Sequence, residues 1–78
     1  MNDVMLTVVI PAFNEAGNLA AVVDETLGVL SSDSRVRSFE LIVVDDGSRD
    51  GTAEIADRLA AQHAMVRVIH HPANRGFG

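Results

Sequence analysis

Glu40-Leu41-Ile42-Val43-Val44-Asp45-Asp46-Gly47-Ser48-Arg49-Asp50-Gly51-Thr52 is the stretch on which the fold turns. Its first half is apolar and rich in β-branched residues, which predicts a strand buried on both faces. Its second half is acidic, small and glycine-bearing, the composition of a tight turn. Helical spacing of apolar residues follows. A strand feeding a turn and then a helix is the repeating unit of a parallel α/β sheet. In such sheets ligands bind beyond the carboxyl ends of the strands, and Asp45 and Asp46 stand at that end.

Working outward, residues 5–10 (Met-Leu-Thr-Val-Val-Ile) predict a first strand, which Pro11 ends because proline lacks an N–H for the ladder. Residues 14–18 read as a turn able to cap a helix. Leu19, Val22, Val23, Leu27 and Leu30 then recur at helical spacing, with Asp24 and Glu25 outward. Residues 31–38 are polar and predict a loop, and Phe39 to Asp45 form the second strand. Asp50 or Thr52 caps a second helix, whose stripe is Ile55, Leu59 and the neighbouring alanines, with Asp57 and Arg58 facing water. Val66 to His70 alternate like an edge strand, and residues 71–78 predict a loop.

The predicted order is β-α-β-α-β, an α/β fold of parallel strands. Two right-handed crossovers arrange the strands 3-2-1, one half of a doubly wound, Rossmann-like sheet. The glycine-rich ending at Gly76-Phe77-Gly78 predicts that residues 1–78 are the first half of a larger domain. In the shorter chain the first strand is then an open edge with no charge inside it. Such an edge predicts a homo-oligomer, formed by two first strands pairing antiparallel.

With 78 residues and a net charge of −5, one small domain is expected and a nucleic-acid partner is not. Cysteine is absent, so disulfides and thiolate metal sites are excluded. No apolar run approaches the roughly 20 residues of a membrane span, and the start lacks the basic residues of a signal peptide. The expectation is a cytoplasmic protein.

Asp45 and Asp46 are adjacent on a strand, so their side chains diverge and do not readily share a metal. One can face a ligand while the other anchors the turn. A carboxylate only accepts hydrogen bonds. It therefore favours a base with an N–H edge, such as uracil or guanine, over adenine. The competing reading is that Asp-Gly and Asp-Gly-Thr simply form a turn and a cap. A second competitor is a stand-alone module without catalysis that binds a nucleotide or calcium. Asp46, Ser48, Asp50, Gly51 and Asp57 match positions 1, 3, 5, 6 and 12 of an EF-hand loop, but the element before them reads as a strand and position 12 is the shorter Asp. Neither GxGxxG nor a Walker lysine follows the first strand. His63, His70 and His71 show no metal spacing with a nearby carboxylate. The first reads as a surface residue or a helix-end cation and the other two as a solvated strand end. Phe13 reads equally as a core residue or as a stacking surface for a base.

Three segments, Val8 to Glu15, Glu40 to Thr52 and Asn74 to Gly78, together resemble family 2 glycosyltransferases, most closely the branch similar to dolichol-phosphate mannose synthase and polyprenyl-phosphate glycosyltransferases. The resemblance covers nearly the whole chain. It implies a GT-A fold that binds a nucleotide-diphosphate sugar, with a polyprenyl phosphate as acceptor and residues 1–78 as the amino-terminal nucleotide-binding half. By motif match, Pro11, Ala12, Phe13 and Glu15 line the nucleoside pocket. Asp46 holds the base edge, while Asp45, Gly47 and Ser48 shape that wall. Asn74, Arg75 and Gly76 lie near the ribose or diphosphate. The family's Asp-x-Asp metal motif and catalytic base are absent from this sequence. The resemblance therefore implies a divalent cation, Mg²⁺ or Mn²⁺, for a full-length parent, and neither metal nor catalysis for this chain alone. It also implies a parent at the membrane surface.

Overall fold

The computed structural model describes residues 4–71. It contains β1 (Val4–Ala12), α1 (Leu19–Ser32), β2 (Val36–Asp46), α2 (Thr52–Gln62) and β3 (Val66–His71). The strands form one parallel sheet in the order β1-β2-β3, so the central β2 pairs on both sides. This is the predicted α/β arrangement and strand order.

Both helices cover the same face of the sheet. Leu19, Val23 and Leu27 from α1 and Ala56 and Leu59 from α2 share one core with Ala12, Leu41, Val43 and Val66. Along β2 the residues Leu41, Val43 and Asp45 are buried on this face, while Ile42, Val44 and Asp46 between them are only partly covered. The period of two is the strand alternation, and the core holds where helices overlie it. On the other face Val9 stays 56% exposed and Ile69 42%. A salt bridge from Arg67 Nη1 to Glu40 Oε2 (2.6 Å) crosses that face.

Several predicted boundaries move. β1 continues through Pro11, which sits opposite Val44, and ends at Ala12. A proline is tolerated in an edge strand, where alternate N–H groups point away from the neighbour. Residues 31–38 are not one loop. Ser31 and Ser32 finish α1, and β2 already starts at Val36. Only residues 33–35 connect them, and Asp33 tightens this turn by accepting from the Arg35 backbone N–H at 2.9 Å and from its guanidinium at 2.9 Å. These bonds pull the Asp33 carboxyl down to about 2. β2 skips Arg37 in its pairing with β1, a bulge that lets the longer strand match the shorter one. β3 runs one residue further, to His71. In α1, Val22 does not join the core and is 42% exposed.

The helix starts also differ from expectation. The N-cap of α1 is Asn18, but its side chain makes no capping bond; the Glu15 carbonyl takes the N–H groups of Asn18 and Leu19 instead, both at 2.9 Å. The N-cap of α2 is Gly51, at φ 99, a left-handed conformation that glycine adopts without Cβ strain. Asp50, one residue further out, supplies the acceptor for the Thr52 N–H at 3.0 Å.

Candidate functional site

The carboxyl ends of β1 and β2 lie side by side, because register sets Ala12 opposite Asp45. The chain leaves each strand through a short loop, and the two loops are bound together. Asn14 N–H donates to Ser48 Oγ at 2.9 Å, and Arg49 N–H donates back to Asn14 Oδ1 at 2.9 Å. Glu15 N–H donates to Thr52 Oγ1 at 2.8 Å, and Ala16 N–H to Asp50 Oδ2 at 3.2 Å. Asn14 reaches this position in a left-handed conformation (φ 55), which asparagine tolerates better than most residues. Gly47, at φ 76, turns the β2 chain back toward it.

Thr52 is fully buried beneath this junction. Its hydroxyl accepts from Glu15 and donates to Asp50 Oδ1, so one oxygen joins the first loop to the second. The Thr52 hydroxyl foremost, with the Ala16 and Thr52 backbone N–H groups, holds the Asp50 carboxyl below its usual range.

Asp45 and Asp46 diverge, as adjacent strand residues must. Asp45 is buried, 3% exposed, on the helix-covered face. Its Oδ1 accepts the Ser48 N–H at 3.2 Å and its Oδ2 meets His70 Nδ1 at 3.1 Å. Burial works to raise this carboxyl, but the hydrogen bonds from Ser48 and His70 outweigh it and leave it below its usual range. Asp46 takes the opposite face, its side chain 47% exposed, with Oδ1 3.4 Å from His71 Nδ1. Asp45 thus anchors the turn, and Asp46 is the carboxylate that a ligand can approach.

His70 and His71 end β3 as expected, but His70 is not simply a solvated strand end. His70 stands opposite Asp45 and His71 opposite Asp46 in the β2–β3 ladder. His70 Nε2 also lies 2.7 Å from Asp57 Oδ1 on α2. The hydrogen bond to Asp57 first, then that to Asp45, raises the pKa of His70 against a smaller opposing effect of burial. The signal was available in outline: a buried strand-end carboxylate requires a donor, and the next strand supplies histidines at that level. Asn14, Asp50 and Thr52 were likewise missed as the residues that join the two loops.

Pro11, Ala12 and Glu15 line a cleft of about 240 Å³ together with Leu19 and Val22. Phe13 is 44% exposed and so is not a core residue. Gly47 and Ser48 lie in the neighbouring loop and Asp45 at the end of β2 that feeds it, while Asn74, Arg75 and Gly76 lie outside the described residues. The calcium-module reading does not survive the geometry, because the element entering the loop is β2 and not a helix. Asp50, a required ligand there, is already occupied by Thr52 and Ala16. Among the described residues no three acidic or histidine side chains converge on a point that could hold a metal, and Asp45 and Asp46 splay to opposite faces. These residues do not fit a metal site. Among the same residues no helix is long and apolar enough to cross a membrane.

The family model described as glycosyl transferase family 2 matches residues 7–78. The chain is 39% identical over 80 residues to the dolichyl-phosphate beta-glucosyltransferase ALG5C of Trichomonas vaginalis, covering 99% of this chain and 24% of that protein. It is 43% identical over 75 residues to glycosyltransferase AglD of Haloferax volcanii, covering 96% of this chain and 12% of that protein. Against the undecaprenyl-phosphate 4-deoxy-4-formamido-L-arabinose transferase of Edwardsiella ictaluri the identity is 40% over 73 residues, with coverages of 94% and 22%. The chain therefore spans about a quarter or less of the length of these relatives. The parallel α/β unit is consistent with this match, and the match over residues 7–78, nearly the whole chain, makes the chain a member of glycosyl transferase family 2.

Proposed function

We propose that residues 1–78 are the amino-terminal, nucleoside-binding half of a transferase domain. That domain moves a sugar from a nucleotide-diphosphate donor to a polyprenyl phosphate, the acceptor class in the names of two of the relatives above. In such a transfer the acceptor oxygen bonds to the anomeric carbon as the bond from that carbon to the diphosphate oxygen breaks. The observation that supports the reading is the pair of joined loops at the carboxyl ends of β1 and β2, with a half-exposed carboxylate, Asp46, as the last residue of β2 before the second loop.

The role of each residue follows from its chemistry. Asp46 accepts from the N–H edge of a uracil or guanine base and rejects adenine, whose N1 is an acceptor. Phe13 offers an exposed ring for stacking, and Pro11, Ala12 and Glu15 complete the nucleoside wall. Asp45, Gly47 and Ser48 hold the turn that presents Asp46. Asn74, Arg75 and Gly76 serve the ribose or diphosphate by motif match. A divalent cation, Mg²⁺ or Mn²⁺, would offset the diphosphate charge; its ligands and the catalytic base belong to sequence beyond this segment, so the segment alone does not catalyse. Work on a polyprenyl phosphate would bring the complete protein to a membrane surface, with its donor site on the cytoplasmic side.

The test is calorimetry with UDP and GDP on the complete protein that carries this segment. Asp46→Asn should weaken the preferred nucleotide by about 1.5 kcal/mol, the lower end for a hydrogen bond to a charged group because this carboxylate is half exposed. Unchanged affinity in the variant would remove Asp46 from the base site. Equal affinity for ADP would remove the acceptor argument.

A further inference from the structure

His70 sits between two carboxylates, with Nδ1 3.1 Å from Asp45 Oδ2 and Nε2 2.7 Å from Asp57 Oδ1. A carboxylate can only accept, and a neutral imidazole has one N–H. Both contacts are hydrogen bonds only when both ring nitrogens carry protons. The geometry therefore selects the imidazolium. Asp45 cannot escape by taking the proton itself without weakening its acceptance of the Ser48 N–H at its other oxygen. The groups facing His70 are Asp45 from β2 and Asp57 from α2. On its own strand His71 points to the other face, against Asp46.

We propose that His70 is a positioning residue of the donor site: as an imidazolium it ties the end of β2 to α2 and holds the Asp45–Ser48 turn, and on losing a proton it lets that turn loosen. This rests on the nucleoside-site reading above. The consequence of deprotonation follows from exposure. The Asp45 side chain is 4% exposed and that of Asp57 is 64% exposed. The remaining N–H stays with buried Asp45, which has no water to replace it, and Asp57 turns to solvent. His70 then keeps one of its two supports. The Asp45–Ser48 turn, from which Ser48 Oγ receives the Asn14 N–H, loses stiffness in both loops at once. Donor affinity should fall as pH rises through the titration of His70.

The experiment measures UDP or GDP affinity of the complete protein at pH 6 and at pH 8.5, in the wild type and in His70→Gln and Asp57→Asn, with the titration of the His70 ring followed by NMR. The wild type should lose about two- to fivefold more affinity over this range than either variant, the size expected for one exposed charged contact. His70→Gln removes the titrating group. Asp57→Asn removes it differently: the new amide donates to a neutral Nε2, so both contacts survive deprotonation. The titration of the nucleotide's own phosphate is common to all three proteins and cancels. A His70 ring that titrates at or below its ordinary value overturns the proposal, and so does a pH dependence that persists unchanged in both variants. If no nucleotide binds at any pH, the nucleoside-site reading falls and this inference with it, an outcome distinct from binding without the His70-dependent slope.

Discussion

Substitutions at Thr52 separate holding the two loops together from merely filling space. The residue is fully buried, its methyl belongs to the packed interior and its hydroxyl makes two hydrogen bonds. Thr52→Val keeps the shape and deletes both bonds. At about 1 kcal/mol for the bond from the Glu15 N–H and about 1.5 kcal/mol for the bond to the charged Asp50 carboxylate the loss is about 2.5 kcal/mol, offset by about 0.8 kcal/mol for the methyl that replaces the hydroxyl. The net destabilisation is about 1.7 kcal/mol. Thr52→Ser keeps both bonds and removes one buried methyl, which costs about 1 kcal/mol in lost transfer energy and residual cavity. The two variants should therefore differ by less than about 1 kcal/mol in stability by urea denaturation and clearly in binding. In Thr52→Val the Glu15 N–H loses its tie to the second loop, and UDP or GDP affinity of the complete protein should fall about fivefold, whereas Thr52→Ser should bind like the wild type. Equal affinities in the two variants would refute the argument that the joined loops form the nucleoside wall. So would a Thr52→Val protein that binds normally.

Two further outcomes follow from the same geometry. Asp45 titrates low, so its stabilisation is present above the unfolded value near 3.9 and is lost as pH falls through the folded value; His70 titrates high, so its contribution is complete below about 6.5 and is lost as pH rises through the folded value. Denaturant unfolding across pH 3 to 9 should show the contribution of this pair greatest between about pH 4 and 6.5, and a His70→Gln variant whose stability falls above pH 6.5 as steeply as the wild type's would contradict it. Among the described residues β1 pairs only with β2 and leaves Met5 71% and Val9 56% exposed, so the 78-residue segment expressed alone should self-associate through that edge, and a monodisperse folded monomer in light scattering would show the edge to be protected.

Much of the fold was legible because it rests on local rules. The run Leu41 to Val44 ends at acids and glycines, and it did become a strand that stops there. Leu19, Val23 and Leu27 recur every four residues, and they did become the buried face of α1. The divergence of Asp45 and Asp46 follows from the strand period alone. The boundaries that moved did so where a neighbour outvoted the residue: Pro11 stays in β1 because, among the described residues, that strand pairs on one side, and Val36 to Ser38 join β2 because β1 extends alongside them.

The candidate site divides in the same way. Its residue types, acids and a phenylalanine at strand ends, could be named from one sequence, as could the family they resemble. What each residue does was decided by contacts between positions far apart in the chain. His70 and Asp45 are 25 residues apart, and Glu15 and Thr52 are 37 apart. A parallel crossover brings such positions to one level only after both strands have found their register, and no local periodicity encodes which side chain then lies opposite which. The sequence determined by itself that two carboxylates stand at the end of β2 and face opposite ways. Tertiary structure decided that the buried one is matched by a histidine from the next strand, and that a threonine hydroxyl holds the two loops together, because a polar group removed from water must take its partner from whatever the fold packs against it.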